Sequence, residues 1–267
     1  MPNLRTSHAI ATPTAPLRWA LGGLACGLLL ALACFAPARW LAALIPLEAG
    51  YVQWIDPEGT VWDGSTRVLI ANPDGVTPGM MLPGRMRWSL RPGWGLVRLT
   101  LSADCCTQAP LEVRLEPGLS GFALHFGPCG LQLPAEALAG LGTPWNTVEP
   151  RGRLTLSCEN LSARSGGGRL SFEGSAIVEL RDFSSRMSAI QPLGSYQLVL
   201  AGGSEPSVRL GTLRGALLLE GQGTWTAGRL SFRGTAGAAT PEALDVLSNL
   251  LNIIGKRQGP VSIISLG

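Results

Sequence analysis

Six cysteines, two histidines and eighteen carboxylates are the residues of this 267-residue chain best equipped for chemistry. Cys26 and Cys34 fall inside an uncharged apolar run, where a thiol acts as a small inert apolar group. Cys105, Cys106, Cys129 and Cys158 lie beyond that run, an even set in a segment read below as exported, where disulfides persist. Vicinal cysteines rarely bridge each other, so Cys105 and Cys106 are each expected to pair with Cys129 or Cys158, giving two loop-spanning bonds. A zinc site with His125 would draw on the same residues, but the C-x-x-C pairs that serve structural zinc are absent. The same absence disfavours a redox-active dithiol. The four cysteines are therefore read as disulfide candidates.

Catalytic constellations are missing. His125 is the one histidine of the exported part, and no G-x-S-x-G elbow surrounds any serine. Neither H-E-x-x-H, a Walker A loop nor a Rossmann G-x-G-x-x-G occurs. Gly166-Gly167-Gly168 sits between polar strand ends and reads as a hairpin loop. Asp56, Glu58 and Asp63 invite a carboxylate-pair hypothesis, yet Asp56-Pro57-Glu58-Gly59 is a turn sequence, which explains them structurally. The expectation is a protein that is not an enzyme, with no cofactor and no metal.

Composition narrows the class. Apolar residues make up 46% and charged residues 15%, enough to bury a substantial core and too few charges for a disordered tail. The net charge of +3, without any Lys/Arg run, gives no footprint for nucleic acid.

The elements that would position these residues begin with Trp19 to Ala36, WALGGLACGLLLALACFA, an uncharged stretch near the lower length for crossing a ~30 Å hydrocarbon core. Arg5, His8 and Arg18 precede it and the first acidic residue is Glu48, so the N-terminus is expected in the cytoplasm and the remainder outside. Trp19 and Trp40 flank it as interfacial aromatics do. Ala36-Pro37-Ala38 has the small-x-small form of a cleavage site, but the apolar stretch exceeds the usual ~7–15-residue signal core. Cys34 follows Ala-Leu-Ala, so lipidation is a third reading; all three place the main domain outside the cytosol. The expected layout is a cytoplasmic tail 1–18, a transmembrane helix 19–36, a membrane-proximal linker 37–46 and a periplasmic β-rich domain 47–267, with a boundary inside it conceivable near 142–152.

Beyond Pro46, short apolar runs recur between Gly, Pro, Asn and Asp. Val61–Leu69, Met86–Leu90, Leu96–Leu101, Leu111–Leu115, Phe122–Phe126 and Leu154–Leu156 read as strands. Leu111, Val113 and Leu115 alternate with Glu112 and Arg114, the mark of a sheet with one buried and one wetted face. Residues 168–174 (GRLSFEG) and 228–234 (GRLSFRG) are near copies, too few for a solenoid. Pro134–Leu141 suits a short helix with Pro at its first position. Pro241–Ile254 suits a longer one, capped by Thr240, carrying Leu244, Leu247, Leu251 and Ile254 at helical spacing, and stopped by Gly255. The fold class expected is mainly β: a large antiparallel, curved sheet with one C-terminal helix behind an N-terminal transmembrane helix.

Ala38 to Gly64, ARWLAALIPLEAGYVQWIDPEGTVWDG, ends in Gly59-Thr60-Val61-Trp62-Asp63-Gly64, and this stretch resembles protein N of the bacterial type II (general) secretion pathway. Further matching stretches are Leu82 to Trp88, Pro144 to Thr147, Ser184 to Ser188, Pro192 to Tyr196 and Leu250 to Gly255. The resemblance implies a nonenzymatic accessory of the machine that moves folded proteins from the periplasm across the outer membrane. It implies contacts with inner-membrane platform proteins or the outer-membrane secretin, and it carries over no catalytic residue. The four exported cysteines are not part of the family pattern. Arg85, Arg87 and Arg91 beside Trp88 and Trp94 form the candidate partner-contact patch; the competing reading is a solvated strand face whose tryptophans enter the core. The alternative function is a periplasmic carrier of lipid or other hydrophobic cargo, decided by whether the apolar strand faces close on one another or line an open groove.

Overall fold

The computed structural model describes residues 17–44, 52–70, 79–118, 121–141, 145–166, 169–226 and 229–267. The tail before the apolar run, the end of the 37–46 linker, Pro144, the start of the 142–152 boundary and the middle of the three-glycine hairpin lie outside the described residues.

The apolar run forms helix α1, Leu17–Cys34, and Pro37 bars its continuation by disfavouring helical backbone at Ala36. A short α2, Ala38–Leu44, follows. Among the described residues no helix is long and apolar enough to cross a membrane. The helix keeps the expected length of 18 residues but begins at Leu17 and ends at Cys34, two residues before the expected end. Its ~1.5 Å rise per residue leaves it short of the ~30 Å core.

The remainder is a meander of antiparallel strands. The first eight are β1 Val52–Gly59, β2 Asp63–Ile70, β3 Met80–Met81, β4 Met86–Gly93, β5 Leu96–Ala103, β6 Leu111–Gly118, β7 Gly121–Phe126 and β8 Cys129–Pro134. Then come β9 Pro150–Gly166, β10 Arg169–Ser185, β11 Gly194–Ala201, β12 Ser207–Gly215, β13 Leu217–Thr226, β14 Arg229–Ala238, β15 Lys256–Gln258 and β16 Val261–Leu266. Their hydrogen-bonded order is β1-β2-β4-β5-β6-β7-β9-β10-β11-β12-β13-β14-β16-β15, with β3 added to β2 and β8 to β9. The mainly β fold with a large antiparallel sheet is as expected, and the sheet is open.

Strand β9 is 17 residues long because its free edge is shared. Its first half pairs with β8 and its second half with β7. The hairpin with β10 absorbs two irregularities, one at Gly174, whose φ of +90° sits where a Cβ would strike the Asn160 carbonyl. That glycine closes the first near copy. In the second, Gly234 likewise has no room for a Cβ against Glu220.

The main core sits where β10 to β14 meet helix α4, Pro241–Ile254. Thr240 caps α4 by accepting the Ala243 N–H at 3.2 Å, as the sequence suggested. Leu247, Leu250 and Leu251 are buried against Leu193, Tyr196 and Leu217. The Tyr196 hydroxyl donates to the Leu217 carbonyl at 3.0 Å, and burial pushes its pKa upward. At the opposite end of the same face Phe172 of β10 meets Trp225 of β13 edge-on, centroids 5.9 Å apart. Strands ~4.8 Å apart bring rings three strands removed into contact only when the sheet curls toward its apolar side.

The expected helix over 134–141 is a 3-10 helix, Ala135–Leu141, and Pro134 ends β8 instead of opening the helix. Trp145–Val148 forms α3, one turn.

Candidate functional site

The five-residue patch on β4 does not assemble as one surface. Strand alternation turns Met86, Trp88 and Leu90 to one face and Arg87, Ser89 and Arg91 to the other. Trp88 is 4% exposed, its ring lying over Gly64 and 5.1 Å from that of Trp54. Its Nε1 donates to the Val61 carbonyl at 3.1 Å. Trp88 is a core residue, and its place in the contact patch is corrected accordingly.

The arginines are engaged locally. Arg85 donates to the Ser65 hydroxyl at 3.0 Å and to the Asp56 carbonyl at 2.9 Å, with Glu58 at 3.3 Å. Arg87 is bidentate on Asp104, one contact being 3.2 Å. Arg91 is bidentate on Asp63 at 2.7 and 2.9 Å, and these hydrogen bonds hold the Asp63 carboxyl below the ordinary carboxylate range. Asp56, Glu58 and Asp63 therefore serve as partners of Arg67, Arg85 and Arg91. Such exposed pairs contribute little to stability, because water screens them. Trp94 stands apart, fully exposed at the tip between β4 and β5.

The cysteines pair differently from expectation. Cys129 and Cys158 occupy facing positions of β8 and β9, Cα atoms 5.0 Å apart, and are disulfide-bonded. With both partners taken, Cys105 and Cys106 are joined to each other. The reason lies in the register: the antiparallel pair sets Cys129 opposite Cys158 within bridging distance. The Cys105-Cys106 turn is closed separately by Thr107, whose hydroxyl donates to the Ala103 carbonyl and accepts its N–H. Cys26 and Cys34 are free. His125 lies on β7, half-exposed and 3.8 Å from Glu116, as a strand histidine.

Sequence reasoning missed the junction between α1 and the sheet. The Trp62 indole N–H donates to the Ala33 carbonyl at 2.6 Å, satisfying one of the last carbonyls of α1. The Val61 N–H reaches the Ala36 carbonyl at 2.8 Å, and Pro37 bridges Thr60. The β1–β2 turn thus grips the end of the helix, while every described side chain from Trp19 to Phe35 is exposed. The G-T-x-W-x-G stretch was the one signal that singled this turn out.

Two open depressions, about 520 and 480 Å³, lie on the polar face over β11 to β14. Gln197, Arg209, Gln222 and Arg233 line them, a set that can offer hydrogen bonds but holds no nucleophile–base pair.

The family model described as type II secretion system (T2SS), protein N, matches residues 51–263, from the start of β1 into β16. No curated protein and no solved structure matches the chain.

Proposed function

The chain belongs to the protein N family of the type II secretion system, and from that membership we propose that it is an inner-membrane-anchored, nonenzymatic accessory whose β domain lies in the periplasm. In this role it supports export of folded proteins across the outer membrane through contacts with platform proteins or the secretin. The observation that carries the reading is the extent of the family match, which runs from β1 into β16, the last strand of the chain.

Anchoring draws on α1. Leu21, Leu24, Leu28, Leu29 and Leu30 are each more than half exposed, an apolar surface that water alone would not favour. Its shortfall against the hydrocarbon core is a few ångströms, a mismatch that thinning or tilting neighbours absorbs at fractions of a kcal/mol per Å. Arg5, His8 and Arg18 before it favour a cytoplasmic N-terminus.

A carrier of hydrophobic cargo would need an open apolar concavity, whereas α4 and the Phe172–Trp225 contact fill the two ends of the apolar face.

Deleting the gene is expected to leave exoproteins in the periplasm, and photocrosslinking from the sheet is expected to recover platform proteins or the secretin. Normal secretion together with an absence of such adducts would overturn the proposal.

A further inference from the structure

The tip between β4 and β5 reads Pro92-Gly93-Trp94-Gly95, and among the described residues none covers its large indole side chain. Gly93 pairs with Leu96, so Trp94 and Gly95 form the whole turn. Gly95, at φ +72°, supplies the left-handed residue a tight turn demands. Trp94 is 101% exposed, against 4% for Trp88, six residues earlier on β4. A turn needs no indole, so the side chain points to something outside the chain.

Position supplies the occupant. The Leu90 N–H donates to the Trp62 carbonyl, so Leu90 is level with the turn that grips α1. Trp94 lies four residues further in the same direction, about 13 Å at ~3.3 Å per residue. The tip therefore projects from the end of the sheet where the exposed apolar helix departs. Behind it, Arg91, Arg98 and Arg114 face one another directly across β4, β5 and β6. Like charges in facing positions repel. Arg91 is answered by Asp63, and Arg114 lies 3.9 Å from Glu112. Arg98 is exposed and has no ion pair among the described residues.

We propose that the β4–β5 tip is a second membrane contact, with Trp94 seated in the interfacial layer and Arg98 meeting the phosphates of anionic lipid headgroups. The inference rests on the anchoring of α1 in a bilayer. Interfacial tryptophan and a basic side chain a few residues away are what that layer selects: the indole takes the apolar boundary and the guanidinium forks onto phosphate. Two fixed points, α1 and the tip, set the tilt of the sheet over the membrane, where a single helix would let it swivel.

The test uses the full chain reconstituted in vesicles of phosphatidylcholine with a minor fraction of phosphatidylglycerol. A benzophenone side chain is placed in separate samples at position 94, at position 28 within α1, and at position 213, which is exposed at the far end of β12. Lipid adducts are expected at 94 and 28 and absent at 213. Adducts at 28 without adducts at 94, or protein adducts alone at 94, overturn the tip contact and leave the anchor standing. No adduct at either site removes the anchoring reading and this inference with it. Arg98→Glu is expected to lower the yield at 94 several-fold in these vesicles and to leave it unchanged in pure phosphatidylcholine, since each basic residue near an anionic surface is worth roughly fivefold in binding. Equal yields overturn the headgroup role of Arg98.

Discussion

Individual side chains divide into those whose surroundings fix them and those left to solvent. Leu247 belongs to the first group, fully buried between α4 and the sheet. Leu247→Ala should cost about 2–5 kcal/mol, read as a lower midpoint in urea, because the cavity adds to the lost transfer energy. Asp63 belongs to the second. Its carboxyl titrates below the ordinary range because Arg91 hydrogen-bonds the charged form. A depressed folded-state pKa means the pair stabilises the fold above the unfolded pKa, and that contribution is lost as pH falls through the folded one. Arg91→Ala should return the Asp63 titration upward, followed by carbon-detected NMR; an unmoved titration would show that Arg91 is not its cause. Their pairing could not be read from the sequence, since Asp63 and Arg91 are brought together only by the β2–β4 register.

Elements show what was legible and why. Helix α4 could be read in advance because its signals are local: Thr240, Pro241, four apolar residues at helical spacing and Gly255. Removing the cap in Thr240→Ala is expected to lower stability by about 1 kcal/mol. The strands were legible as alternations, but their partners were not, since pairing depends on contacts far along the chain. This is why the cysteine connectivity came out otherwise: only the β8–β9 register sets Cys129 against Cys158. Closing a 29-residue separation, that bond should contribute roughly 3–4 kcal/mol by chain entropy. The double substitution Cys129→Ser and Cys158→Ser, compared by urea melts with the parent, measures it. Trp88 was misplaced for a related reason: its alternation with Arg87 gave the two faces without saying which was covered.

At the scale of the whole molecule, the family match runs from the start of β1 into β16, so the family pattern is spread along nearly the whole ladder. No cluster of catalytic residues was legible in the sequence, and the arrangement over the polar face is one of amides, hydroxyls, guanidinium groups and the Glu220 carboxylate in shallow hollows. Substituting Arg209 and Arg233 together, both exposed, should shift the thermal midpoint by no more than about 2–4 °C, as surface changes stay within about ±0.5 kcal/mol each. The same variant, carried through the crosslinking experiment, would tell whether the hollows are where a secretion component docks.

The sheet is also a load path. Tension between the end gripped on α1 and the far edge at β15 runs across the strands, so each ladder bears it in series and the shortest yields first. The β9–β10 seam holds along fourteen register positions, while β2 and β4 share four, β12 and β13 four, and β15 and β16 three. A pull from the envelope side would therefore open the sheet at one of these short ladders, at either edge or at the β12–β13 seam, long before the central hairpin gave way.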